Sequence, residues 1–217
     1  MTLLDVARGP AFQWAVAVML IGMAWRLAGI FLLPRLRDLS KPRSSAIVKG
    51  GIRTVVTRSL PPPEFEKKIR FQHITGYGWH IGYFVVVLLF AQHITFFRNV
   101  LGFGWPHLPN AVVLTTAAIT LALLVALLIR RVFHPVLKLL STFDDYASWV
   151  FTTTPLLTGI MAYAHVGLRY ETLLAMHILS VEALMIWFPL GKLMHLFLAL
   201  PSRYQIGATY ERRGVEA

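Results

Sequence analysis

No cysteine occurs in the 217 residues. That excludes a disulfide, a thiolate-held iron–sulfur cluster and a covalently attached c-type haem. Charge is the second scarcity: Asp, Glu, Lys and Arg make up 14% of the chain, against about 25% in a soluble domain. Acidic residues are fewer still, ten against 21 Lys and Arg. No internal repeat or low-complexity tract stands out. A redox centre in this chain must therefore use histidine, methionine or a non-covalent pocket, and any cluster it trades electrons with belongs to another subunit.

Apolar residues are abundant. They form 56% of the sequence, with a mean hydropathy of +0.61, which is membrane composition in one domain's worth of chain, residues 1–217. Five apolar runs, 12–34, 78–97, 111–129, 149–164 and 173–200, are read as spans of a bilayer, which takes about 20 residues. The first is too long for a cleavable signal, has Asp5 and Arg8 before it, and lacks a small-residue cleavage site after it. The segment 35–77 carries ten cations (Arg35, Arg37, Lys41, Arg43, Lys49, Arg53, Arg58, Lys67, Lys68, Arg70) against Asp38, Glu64 and Glu66. By the positive-inside rule this loop is cytoplasmic, as are Arg130, Arg131 and Lys138 and the tail with Arg203, Arg212 and Arg213. The expected fold is an all-α bundle of five transmembrane helices, N-terminus outside and C-terminus cytoplasmic. The basic loop, with Pro42 and Pro61 to Pro63, is expected to be mostly irregular, with a short interfacial helix at 65–73. It serves either as a docking surface or as a solvated linker drawn to anionic headgroups.

The chemistry-bearing residues are histidines. His177 and His195 are 18 residues apart in the last run, five full turns and about 27 Å on one helix face. His80 and His93 open and close the second run, about 20 Å apart. The two helices run antiparallel, so His93 matches His177 in depth near the outer surface and His80 matches His195 near the inner one. Polar residues inside a span are functional by default, and haem between helices satisfies two imidazoles at once. Two bis-histidine b haems are the expectation. Thirteen residues leave His93 about 140° around the helix from His80, so a local distortion, or haems rotated relative to each other, has to absorb the offset. His73, His107 and His134 read as surface residues, and His165 as interfacial. Arg26 lies within the first span and needs an anion, such as a propionate of the inner haem. Arg98 and Arg169 at the outer surface are placed for propionates or a quinone headgroup, and snorkelling to lipid phosphate explains each as well.

Several motifs extend this picture. His80-Ile81-Gly82 opens the second run, Arg130-Arg131-Val132-Phe133-His134-Pro135 follows the third, and Phe188-Pro189 leads to His195. In these, in length and in topology, the chain resembles the gamma subunit of respiratory nitrate reductase and related membrane cytochrome b anchors. The resemblance implies that His80 and His195 ligate the inner haem iron and that His93 and His177 ligate the outer one, where quinol is oxidised. It also implies a cytoplasmic iron–sulfur partner and a prokaryotic inner membrane. One departure concerns the second run: the nitrate reductase members separate its two histidines by ten residues, and ten residues after His80 stands Phe90.

The expected function is a diheme b-type cytochrome passing electrons between the quinone pool and the iron–sulfur partner, with protons released outside. The competing class is a histidine-lined transporter or metal permease without haem. That reading expects further intramembrane carboxylates, and Glu182 is the only acid in a span.

Overall fold

The computed structural model describes residues 2–34 and 38–215, so Arg35 and Arg37 lie outside the described residues. Among the described residues all regular structure is helical. Helix α1 is Leu3–Val6, joined by a π-turn at Ala7–Ala11 to α2, Phe12–Leu32. Then come α3, Ile47–Thr57; α4, Pro63–Leu89; α5, Ala91–Leu101; and α6, Asn110–Phe133. They are followed by α7, Pro135–Leu140; α8, Phe143–Ala164; α9, Tyr170–Leu190; and α10, His195–Arg212, which a 3₁₀ turn at Lys192–Met194 introduces. Leu3–Leu32, α6 and α9 are each long and apolar enough to cross a membrane, and α4 with α5 is a fourth candidate, bent by 61°.

Local chemistry explains the element ends. Glu64 and Glu66 lie in the first turn of α4, where the helix dipole favours acids. A capping box between Thr142 and Asp145 starts α8. Gly102 closes α5 at φ 82°, a left-handed conformation that costs glycine nothing. Pro189 has no N–H to donate and sits in the last turn of α9, with Gly191 extended just after it.

The break that follows corrects one expectation. The run 173–200 is not a single helix: α9 stops at Leu190 and α10 begins at His195. The placing of His177 and His195 on one helix face therefore does not hold. A second correction concerns the basic loop. It contains α3, and its expected short helix is the start of α4, continuous with the apolar residues beyond. The second run is likewise interrupted, at Phe90.

The chain divides into two compact units, Met1–Met19 with Phe71–Trp187, and Leu20–Arg70 with Phe188–Ala217. In the first unit, Ala117, Leu124 and Leu156 form a buried cluster joined by Trp79, Tyr83, Val86, Leu121 and Ile160. Glycine lets α4 and α6 approach closely: a Cβ on Gly82 would overlap Thr120 of α6. The second unit is built on α3 against α10. A Cβ on Gly207 would collide with Thr54, and one on Gly50 with Glu211. Ser44 Oγ donates to Glu211 at 2.7 Å and the Arg43 amide donates to the Arg212 carbonyl at 2.9 Å.

Candidate functional site

The end of α4 leaves its last carbonyls without helical partners, as every helix C-terminus does. Phe90 is extended, at φ −82° and ψ 130°, so the ladder cannot continue through it. Other donors take these carbonyls. The Trp105 indole N–H donates to Leu88 O, and the Leu108 amide to Leu89 O at 3.0 Å. His93, in the first turn of α5, reaches Val86 O through Nδ1 at 2.9 Å. A carbonyl only accepts, so the proton of neutral His93 is on Nδ1 and the lone pair is on Nε2.

His177 projects from α9 against α8, with Nδ1 3.3 Å from Thr158 Oγ1. Thr158 gives its own proton to Thr154 O at 2.8 Å, and Ser180 gives its proton to His177 O at 2.7 Å. Thr158 Oγ1 is then an acceptor for Nδ1–H, and His177 too offers Nε2. Gly159 makes room for the ring: a Cβ there would stand 3.1 Å from His177 Cε1.

These two imidazoles are neighbours, with ring centres 6.1 Å apart and planes 17° from parallel. Both are half-buried. The hydrogen bonds to Val86 O and to Thr158 Oγ1 both engage Nδ1. The Phe90 ring lies 5.2 Å from that of His93 and 5.9 Å from that of Tyr163, so the residue at the break also walls the site.

His80 belongs to the same unit. Its Nδ1 donates to Gly76 O at 2.6 Å, one turn back on α4, and Trp79 lies against its ring at 3.7 Å. His195 belongs to the second unit, where it is exposed and its Nδ1 is 2.9 Å from Lys192 O. It lines an open cavity of about 330 Å³ together with Arg26, Lys192, Met194 and Ser202. Arg26 has no ion pair or hydrogen bond among the described residues. Arg98 is exposed and lies against Gly104. Arg169 is also exposed and forms a loose ion pair with Glu171 at 3.8 Å.

The remaining histidines lie apart from the pair. His73 meets Tyr77, His165 meets Tyr170, and His107 and His134 are exposed. Among the described residues no three His, Asp or Glu side chains converge as a metal cluster. Sequence reasoning missed Thr158, Ser180, Gly159 and the Val86 carbonyl, which set the two rings. The run Thr152-Thr153-Thr154 with Thr158, polar within an apolar stretch, was the available signal. Glu182 is 4% exposed, and its Oε1 has no partner among the described residues.

No protein-family model matches the chain, and no solved structure matches it. A protein of Nitratidesulfovibrio vulgaris (strain Hildenborough), named only "Protein", is 29% identical over 190 residues, covering 87% of this chain and 80% of its own length.

Proposed function

We propose that the chain is the diheme b-type cytochrome subunit of a prokaryotic inner-membrane complex, carrying electrons between quinol and a cytoplasmic iron–sulfur partner. The observation that carries the reading is the pair His93 and His177, 6.1 Å between ring centres and nearly parallel. With Nδ1 of each ring engaged in a hydrogen bond, the two neighbouring imidazoles would hold the haem iron through Nε2. The hydrogen bonds support the same role. Metal-bound histidines usually donate their second N–H to a carbonyl or similar acceptor, which fixes the tautomer and orients the ring. Val86 O and Thr158 Oγ1 do this for His93 and His177. Two protein ligands suit a metal whose other donors come from a macrocycle.

Haem bound there supplies one-electron chemistry. The chain's own part is to present two Nε2 lone pairs and to wall the rings with Phe90. His80, with Nδ1 held by Gly76 O, and His195, beside Arg26, are the proposed ligands of the inner haem. In this reading α2, α4 with α5, α6, α8 and α9 are the five spans, with the N-terminus outside. Quinol is oxidised near the His93 and His177 level, its protons leave outside, and the basic cytoplasmic face receives the iron–sulfur partner.

A reduced-minus-oxidised spectrum and a pyridine haemochrome assay on the purified protein test the reading, with two extractable haems per chain expected. His93→Ala and His177→Ala should each remove one and the same centre, and His80→Ala and His195→Ala the other. A colourless protein, or loss of one centre in both His80→Ala and His177→Ala, overturns it.

A further inference from the structure

The bend at Phe90 competes with a continuous helix. If α4 ran on into α5, the amides of Gln92 and His93 would donate to Leu88 O and Leu89 O in the ordinary ladder. In the structure those two acceptors are already taken, by Trp105 Nε1 and by the Leu108 amide, both from the segment between α5 and α6. In an apolar surrounding no water replaces a lost partner, so the ladder and the outer segment are alternative ways of satisfying the same carbonyls. The bond from His93 to Val86 O exists only in the bent form. Seven residues of straight helix would put His93 about 10 Å further along the axis than Val86.

We propose that Trp105 is a positioning residue for His93. Its indole N–H, with the Leu108 amide, holds the helix break open, and the break aims His93 Nδ1 at Val86 O and sets its ring beside that of His177. The indole has aromatic neighbours as well, Phe97 at 5.6 Å and Phe103 at 6.3 Å between ring centres, so a phenyl ring at this position keeps the packing and loses only the donor.

The test needs a geometric arm that does not depend on haem. The chain has no cysteine, so spin labels at Ile81→Cys and Val100→Cys, both exposed and on either side of the break, report on the bend in the full-length protein. In the Trp105→Phe background the distance distribution should broaden toward separations about 4 Å longer, the change that straightening a 61° bend produces over this length. Leu108→Pro, which deletes the other donor, should act in the same direction. The second arm rests on the function proposed above. Trp105→Phe should shift the potential and low-spin signature of the centre lost in His93→Ala and leave the other centre unchanged. An unchanged distance distribution in both variants overturns the proposal whatever the spectrum shows. A wild-type protein without haem would overturn the cytochrome reading and leave the geometric arm intact.

Discussion

Gly159 is where a single atom decides the geometry of the site. A methyl group there would lie 3.1 Å from His177 Cε1, so the ring has to yield by a few tenths of an ångström. Alanine is also the better helix former, by roughly 1 kcal/mol. Gly159→Ala should therefore leave thermal stability within about 1 kcal/mol of the parent and still shift the absorption and potential of the centre proposed at His93 and His177. A shift in melting temperature without a spectral change would count against the role given to this glycine. Glu182 makes the opposite case. A buried carboxyl oxygen without a partner costs about 1–3 kcal/mol, so Glu182→Met should raise the melting temperature in detergent, and a lowered one would show that the carboxyl has a partner. At this scale the sequence was only partly legible. It offered the histidines and Glu182, because such residues are conspicuous in apolar runs. It hid Thr158 and the Val86 carbonyl, because hydroxyls and backbone acceptors look the same wherever they occur.

Among the elements, α4 and α6 meet at small residues. A side chain at Gly82 would overlap the buried Thr120 of α6, whereas one at Gly78 would meet only the flexible end of Leu123, at 2.9 Å. Gly82→Leu should thus separate the helices and destabilise the fold by about 1–3 kcal/mol or more, the range for overpacking, and Gly78→Ala should be far milder. Thermal melts monitored by circular dichroism compare the two, and equal losses would contradict the packing described. The apolar runs made most helices readable from hydropathy. The two interruptions were not, since Phe90 is an unremarkable residue in a helix and the 3₁₀ turn after Pro189 lies inside an unbroken apolar stretch. The 140° offset between His80 and His93 belongs to a single straight helix, and Phe90 interrupts the helix between them. The helix α3 was missed because its glycine face, Gly50 and Gly51, looks like loop composition until Gly207 and Tyr204 are seen against it.

In the whole molecule, the basic loop and the tail form one unit. Asp38 ties them together, 3.6 Å from Arg212 and 3.8 Å from Arg213. Its carboxylate is held below the ordinary value of 3.8, first by the Ser40 hydroxyl and amide and then by the two arginines. A carboxylate with a depressed pKa adds stability that is complete above its unfolded value and fades as the pH falls through the folded one. The protection of α3 and α10 amides, measured against the intrinsic exchange rate at each pH, should therefore fall as the pH drops below 3.8, and Asp38→Asn should flatten that dependence. An unaltered acid response in the variant would remove Asp38 from the account. The charge pattern announced a basic loop but not that it was folded, because its partner lies about 150 residues away in the chain, from Thr54 to Gly207. That separation also has a meaning in time. At roughly 5–20 residues per second the ribosome needs about eight to thirty seconds to get from one to the other. Throughout that interval α3 has been made and α10 has not, so its glycine face waits bare while the intervening apolar helices are synthesised. A chain cut short before α10 would leave the glycine face of α3 without the partner it packs against.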